Sequence, residues 1–419
     1  MSNVKWRALK IGTGTFMAQA VTFLFLPVIS RIYVPEEYGK LSIFLSLAFI
    51  LIPLGTLKLD IILMVVNNED EADNLLVIAI LTSLFTSLVT YPFTIIYFIH
   101  FEKLTLQNAA FQSFLFSLLL FLQCLMVLSL QAALRMRKDN LIVASSFVQN
   151  SSISVIQVIL GKVQPTGEFL VIGFILGKAL GILPMFNSLK YRIVKVKSTS
   201  SEIIPTLRRH AKSGSNLLLA SFFDAASMSL PASAIGILFG LSYSGILGVT
   251  QSVLTVPITL VGGAIGSVLI SELAKMKREN AGVLKNTDSP LMHLARPLLI
   301  AAVLFTLSTF LIGPKIFDFL LGATWSDTSR LISWLAIPFG INFLWQPLSN
   351  LLYVESNWRI YLNFSMLRFA LSCIFGFSAY FFEFGWIQVA SGFIFGGSLA
   401  QLIGIIWIWN NTIKQKLLS

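Results

Sequence analysis

The stretch Lys212–Gly240, KSGSNLLLASFFDAASMSLPASAIGILFG, indicates what kind of protein this chain is. It is long and apolar enough to cross a bilayer as one helix, yet Asp224 lies near its middle. A carboxylate at that depth is costly unless it faces water or a partner, so it is a functional candidate by default. Three- and four-residue steps place small and polar residues on the same helix face: Ser213, Asn216, Ala220, Ser227 and Pro231. This face either borders a water-filled cavity or packs closely against another helix; packing explains the small residues but not the acid.

The composition of the whole chain agrees with a membrane protein. Of 419 residues, 56% are hydrophobic and 12% are charged, and the mean hydropathy is +0.81. This is typical of a polytopic membrane protein with little mass outside the bilayer. The net charge of +11 comes from basic residues clustered between apolar runs, so we expect no nucleic-acid partner. Cys124 and Cys373 lie in apolar runs and the histidines lack metal-ligand spacing, so we expect no disulfide, metal or cofactor.

Apolar runs of about 18 to 25 residues predict twelve membrane-spanning helices. They lie near 11–30, 41–66, 75–99, 111–133, 141–160, 169–189, 213–239, 244–270, 295–313, 331–352, 360–382 and 386–409. The loops on the side of the N-terminus carry 21 of the 30 lysines and arginines, and the opposite loops carry 6. Because positively charged loops stay on the cytoplasmic side, we expect both termini in the cytoplasm. The first run is too long for a signal peptide and no cleavage site follows it, so we expect it to be retained.

A basic loop at 190–212 divides the chain into two halves of six predicted spans, 1–200 and 201–419. Landmarks recur 204 to 206 residues apart in the two halves: Pro27 with Pro231, Gly39 with Gly245, and Pro53 with Pro257. An even number of spans per half predicts a parallel repeat around a central cavity, an arrangement typical of secondary transporters. The chain has no Walker A, GxSxG or HExxH sequence, so we expect neither ATP use nor an enzyme.

Polar residues lie along one face of each of the first two spans in both halves. Thr15 and Gln19 share a face of span 1, Asp60 continues a polar stripe of span 2, and Gln251 begins one in span 8. Together with the Asp224 face, these stripes predict four helices around one cavity. Span 6 differs, because Gly173, Gly177 and Gly181 form a ladder that we interpret as helix packing.

Five charged residues lie inside predicted spans: Lys58, Asp60, Lys178, Asp224 and Arg368. The three cations suit a cavity that accepts an anionic group such as a phosphate, and the two acids suit a coupling ion. Several alternatives stay open. Lys58 is two residues from Asp60 and points to another side of the span, where it reaches either the cavity or the membrane interface. Lys178 lies beside the glycine ladder rather than on it, so it faces either the cavity or another surface. Asp224 and Arg368 either serve the cavity or pair with each other.

The segment FLPVISRIYVPEEYGKLSIFLSLAFI, residues 25–50, resembles the opening of the Wzx-type polysaccharide flippases. These belong to the multidrug/oligosaccharidyl-lipid/polysaccharide exporter superfamily. The resemblance continues through GTLKLDIILMVVNNEDEADNLL, residues 55–76, and is specific over about residues 1–80. Weaker similarity occurs at ALRMRKDN, FGLSYSGILG and LLGATWSDTSRLISWLAIPF. One departure is the loop 67–74, which is acidic although it should be cytoplasmic.

The resemblance implies a cargo, a direction and a place in the cell. The cargo would be an undecaprenyl-diphosphate-linked oligosaccharide, such as an O-antigen or capsule repeat unit, moved from the cytoplasmic to the periplasmic leaflet of the bacterial inner membrane. The movement would occur by alternating access coupled to H+ or Na+. A polysaccharide polymerase and a chain-length regulator would be partners, besides the membrane lipid.

Other functions make different demands on the sequence. An exporter of cationic drugs would need an acidic, aromatic cavity, for which Asp60 and Asp224 are the only intramembrane acids. A lipid II flippase would commonly carry additional spans. A membrane enzyme of polysaccharide assembly would need a sizeable periplasmic loop or an intramembrane histidine, and the sequence predicts neither.

Overall fold

The computed structural model describes residues 2–66, 68–100, 103–195, 200–278, 290–354 and 358–417. Side chains are described over a narrower set: 10–64, 66, 68–100, 103–187, 189–190, 192, 214–260, 297–349 and 358–410. Within these residues the chain forms α-helices and one short 3-10 helix. Lipid offers the backbone no hydrogen-bond partners, so a spanning chain of this composition has to satisfy its amides within helices.

Fourteen helices, α1 to α14, follow each other in the described residues. The first seven are α1 Ser2–Ile32, α2 Pro35–Thr56, α3 Leu59–Val65, α4 Glu69–His100, α5 Leu106–Arg135, α6 Asp139–Val163 and α7 Gly167–Lys195. The next seven are α8 Ser200–Phe239, α9 Leu241–Arg278, α10 Pro290–Leu311, α11 Gly313–Leu321, α12 Ser326–Val354, α13 Trp358–Phe381 and α14 Trp386–Leu417. The 3-10 helix Ala323–Trp325 connects α11 to α12.

The number of helices that are able to span a membrane agrees with the predicted fold class. Eleven helices of the described chain are long and apolar enough, and the total is twelve if α10 and α11 count as one span. These two helices meet at an angle of 53°, and the bend lies at the C-terminal end of the predicted ninth span, 295–313, with α11 continuing beyond it. The prediction of an all-α, polytopic protein with about twelve spans is confirmed.

The predicted second span is not one continuous helix. It divides into α2 and α3 at Leu57 and Lys58, which both adopt left-handed backbone angles with φ of 48° and 54°. The hydroxyl of Thr56 compensates for the interruption, since it accepts a hydrogen bond of 3.3 Å from the backbone N–H of Lys58. The helical register is therefore broken between Thr56 and Asp60.

The buried apolar clusters are divided between the two predicted halves. Three buried clusters draw their residues from positions before 190, and a fourth draws all but one of its buried residues from positions after 230. In the first half, α6 and α7 approach closely along the glycine ladder. A side-chain carbon added at Gly177 would lie 2.6 Å from the backbone nitrogen of Ile153, so this ladder serves packing as predicted.

The contact between α2 and α9 is reciprocal, as two-fold symmetry requires. A side-chain carbon at Gly39 would overlap the carbonyl oxygen of Leu241, and one at Gly245 would overlap that of Pro35. Gly39 and Gly245 are 206 positions apart, and so are Pro35 and Leu241. This reciprocity supports the division into two halves. The boundary near residue 200 stays a prediction, because residues 196–199 lie outside the described chain.

Candidate functional site

A cavity of about 610 Å³ lies between the two halves. Helices α1 and α2 border it on one side, and α8 and α9 on the other, with Phe339 of α12 and Tyr361 of α13 completing the wall. These four principal helices are those on which the sequence places polar stripes. The volume is within the range of pockets that hold a small-molecule ligand, about 300 to 1,000 Å³.

Hydroxyl and amide groups make up most of the polar wall. The uncharged polar side chains are Gln19, Ser42, Ser46, Ser221, Ser229, Gln251, Ser252, Thr255 and Thr259. Aromatic rings stand among them, contributed by Tyr38, Phe49, Phe339 and Tyr361. Among the described wall residues, two are charged, Lys58 and Asp224. The surface that this wall exposes is mainly apolar, with hydroxyl and amide groups set into it, and it carries little net charge.

Lys58 reaches the cavity from the interruption between α2 and α3. Its ammonium nitrogen lies 3.7 Å from a carboxylate oxygen of Asp60, whose side chain is 2% exposed. Thr56 also donates a hydrogen bond of 3.3 Å to Asp60. The expectation that Lys58 points away from Asp60 is wrong, because it assumed a continuous helix where the backbone reverses its handedness. Asp60 is therefore a buried partner of Lys58 rather than a wall residue.

Asp224 and Arg368 form an ion pair between α8 and α13. A guanidinium nitrogen of Arg368 donates to a carboxylate oxygen of Asp224 at 2.6 Å. The Asp224 side chain is 31% exposed and borders the main cavity, whereas that of Arg368 is 11% exposed and lies behind it. The internal pair that the sequence left open is thus present, and of its two side chains it is Asp224 that borders the main cavity.

A side chamber of about 30 Å³ adjoins this pair within the second half. Gln251, Met228 and Phe339 border both the chamber and the main cavity. Three polar atoms of the chamber are buried without a hydrogen-bond partner in the structure: Nε of Arg368, Oγ of Ser227 and Oε1 of Gln401. The guanidinium of Arg368 consequently keeps at least one donor that Asp224 does not use.

The predicted site residues divide into three groups. Gln19, Lys58, Asp224 and Gln251 border the main cavity. Asp60 and Arg368 stand behind it as partners of the two charged wall residues. Thr15 and Lys178 are not among the wall residues. Thr15 lies on α1 one turn before Gln19, and Lys178 of α7 lies 5.5 Å from the ring centre of Phe174. The side chain of Ser213, in the predicted Asp224 face, is outside the described residues.

The halves are joined at the end of the bundle where α1 meets α2 and α8 meets α9. We call this the outer end, since the loop charges predict that it faces the periplasm. There Trp325, 2% exposed, donates from its indole nitrogen to the carbonyl oxygen of Ser30 at 2.9 Å. Its ring packs edge-on against Tyr38 at a centroid distance of 5.9 Å. Deeper in the bundle, the hydroxyls of Ser46 and Ser233 bond to each other across the halves.

A charged network at the opposite end explains the acidic loop that departs from the family pattern. Arg135 donates to the carbonyl oxygens of Leu63 and Val66 at 2.5 and 2.7 Å, and so caps α3. It also pairs with Glu69 at 2.8 Å. Arg192 pairs with Glu69 at 2.8 Å and with Asp73 at 2.6 Å. The basic partners come from α5 and α7, so spacing within the loop gave no signal of this network.

Comparison with known proteins shows likeness of fold without close sequence relatives. No protein-family model matches the chain, and no curated protein matches it. An inward-facing structure of a multidrug resistance MATE family transporter of the MOP superfamily matches with a TM-score of 0.73 and 12% identity. The match covers 99% of this chain and 99% of that one. An outward-facing structure of such a transporter matches with a TM-score of 0.63 and 12% identity, covering 99% of this chain and 97% of that one.

A third similar structure is a MOP superfamily transporter from Pyrococcus furiosus, described as having a binding pocket of reverse polarity. Its TM-score is 0.64 and its identity 12%, and the match covers 98% of this chain and 96% of that one. At these identities the likeness concerns the fold alone. The chain therefore shares the fold of the superfamily to which the sequence resemblance points, and the Wzx-type branch stays a prediction.

Proposed function

We propose that the chain is a flippase for undecaprenyl-diphosphate-linked oligosaccharide repeat units. It moves them from the cytoplasmic to the periplasmic leaflet by ion-coupled alternating access of its two halves. The observation that carries this proposal is the cavity between α1, α2, α8 and α9, whose wall is rich in hydroxyl and amide groups. The resemblance over residues 1–80 supports the same cargo.

The cavity meets the main physical demand of glycan translocation. Each sugar hydroxyl that enters hydrocarbon without a hydrogen bond costs on the order of several kcal/mol. The serines, threonines and glutamines of the wall replace the lost water, and Tyr38, Phe49 and Tyr361 offer rings to the apolar faces of sugars. The prenyl chain stays in lipid.

The diphosphate is assigned to the cations near the cavity. Lys58 borders the cavity directly and its distance to Asp60 is long for an ion pair, so it is the first cation that an entering phosphate meets. Arg368 lies behind Asp224 and becomes available only when that pair opens. Lys178, which packs over Phe174, is the weakest of the three assignments.

The coupling ion is assigned to the acids. Asp224 is partly exposed to the cavity, where a proton or sodium ion reaches it, while Asp60 is buried behind Lys58. Both termini are placed in the cytoplasm and the protein in the bacterial inner membrane, beside a polysaccharide polymerase and a chain-length regulator. The loop charges and the resemblance support these placements.

A cation-coupled multidrug exporter is the second candidate. The similar structures include transporters described as multidrug resistance proteins, and in this chain Asp224 stands among aromatic wall residues. Against this candidate, Arg368 already neutralises Asp224. A lipid II flippase would use the same polar cavity and differ in the glycan.

Reconstituted vesicles distinguish these functions. Purified protein is inserted into liposomes that carry a fluorescent prenyl-diphosphoryl oligosaccharide, and quenching from outside measures its movement between leaflets. We expect movement with the wild-type protein, and slower movement for Arg368→Ala than for Arg368→Lys, since lysine keeps the charge. Ethidium uptake or efflux in the same vesicles tests drug export. Transport of ethidium without movement of the glycolipid would favour the exporter.

A further inference from the structure

We propose that Asp224 is a built-in anion that occupies Arg368, and that the diphosphate of the cargo has to displace it. This inference rests on the proposed function. It assigns Asp224 a role in substrate selection, because the energy of the Asp224–Arg368 pair is subtracted from the affinity of every anion that uses Arg368.

The positions of the two side chains carry the argument. Asp224 borders the main cavity, whereas Arg368 borders the side chamber behind it. The structure joins the two through one nitrogen and one oxygen, at 2.6 Å. A ligand that approaches Arg368 along the wall of the main cavity at α8 therefore meets the carboxylate first.

The guanidinium is prepared for a better partner than a single carboxylate oxygen. Its Nε is buried without a partner, and guanidinium groups bind phosphates through two parallel hydrogen bonds. Gly397 of α14 lies behind the side chain, where an added carbon would contact Cγ of Arg368 at 3.6 Å. Gly397 also borders the side chamber, so the unpartnered Nε of Arg368 lies on the chamber side of the guanidinium, beside its bond to Asp224.

Binding to purified protein tests the displacement. The probe is a short-chain prenyl-diphosphoryl N-acetylglucosamine, and the same prenyl glycoside without phosphate is the reference ligand. We expect Asp224→Asn to lower the Kd for the diphosphate about tenfold, since a neutral amide competes less strongly for the guanidinium. Asp224→Glu should keep the wild-type Kd, and the double variant Asp224→Asn/Arg368→Ala should lose the gain.

Asp318→Asn is the matched control, because it removes one negative charge from an exposed position of α11. Its Kd should stay within about twofold of wild type, given that exposed charges are screened. Melting temperatures identify a variant that fails to fold, and Asp224→Ser then takes the place of the asparagine variant.

Two results distinguish failure of the displacement proposal from failure of the proposed function. If the wild-type protein prefers the diphosphate and a folded asparagine variant binds it no more tightly, the displacement is overturned and the proposed function stands. If the wild-type protein and the Asp224→Asn and Asp224→Glu variants each bind the diphosphate and the phosphate-free ligand equally, the diphosphate site is overturned. The proposed function is then overturned with it.

Discussion

Asp224 presents one carboxylate to two kinds of cation, the guanidinium of Arg368 and any ion that enters the cavity. A proton or sodium ion on Asp224 weakens its hold on Arg368, and an anion on Arg368 leaves Asp224 open to a cation. A single ion pair thus links the proposed cargo to the proposed coupling ion.

Transport by Asp224 variants tests its assignment as the coupling residue. Asp224→Asn keeps the shape of the side chain and should insert normally, but it should lose gradient-driven movement of the glycolipid because the amide binds no coupling ion. Asp224→Glu should retain part of the rate. The measurement is translocation in vesicles with an imposed proton or sodium gradient. An asparagine variant that responds to the gradient like wild type would leave Asp224 without a coupling role.

Individual residues were predictable where periodicity holds and unpredictable where it breaks. Gln19, Asp224 and Gln251 reach the cavity because their helices are continuous across the wall, so the spacing of polar residues reports their direction. Lys58 and Asp60 pair because the backbone turns left-handed at Leu57 and Lys58. Neither residue is a glycine or proline, but Pro53 and Gly55 come just before them, so the sequence marks an interruption near this point without locating it at Leu57 and Lys58.

Helix α3 is short and depends on its surroundings more than the spanning helices do. A helix of seven residues gains little from its own hydrogen bonds, so its stability comes from packing and from capping. Arg135 caps it directly, and Arg192 holds Glu69 and Asp73 at the start of α4. From the sequence, these arginines counted only among the basic loop residues that set the orientation. Their role in capping and pairing was not predicted, because their partners lie on other helices.

Removal of Arg192 tests this network. Its side chain is 8% exposed and that of Asp73 is 5% exposed, so Arg192→Ala removes a buried ion pair. Breaking a buried pair in this way costs about 3 to 5 kcal/mol. We expect a clearly lower melting temperature in detergent. Lys190→Ala, an exposed position on the same helix, should melt like wild type. Equal melting of the two variants would mean that the network contributes nothing to stability.

The loop charges predict the orientation of the whole molecule in the membrane. A reporter fused after Ser200 should be cytoplasmic, and one fused near Gly322 should be periplasmic. Each position is tested with two reporters. Alkaline phosphatase is active only in the periplasm, and a fluorescent protein that folds only in the cytoplasm gives the opposite signal. A periplasmic Ser200 would reverse every assignment of sides, including the outer end.

The contact between halves was partly visible in the sequence. Gly39 and Gly245 recur at a spacing of 206, and in the structure each allows the backbone of the other half to approach. Trp325 was not predictable as an inter-half contact, because its partner Ser30 lies 295 positions earlier. A repeat thus indicates which helices meet, whereas contacts outside the repeat need coordinates.

Opening of the outer end should depend on the two glycines. In the present conformation a methyl group at Gly39 would overlap the carbonyl of Leu241, so Gly39→Ala should disfavour closure at this end. The readout is a cysteine in place of Gln251 in the cavity, with Cys124 and Cys373 replaced by alanine, labelled from the periplasmic side by a membrane-impermeant maleimide. Gly39→Ala should be labelled several times faster than its parent. Gly12→Ala is the matched control, because an added carbon there meets nothing within 4 Å. Equal labelling of both variants would show that the α2–α9 contact does not control access from the outer end.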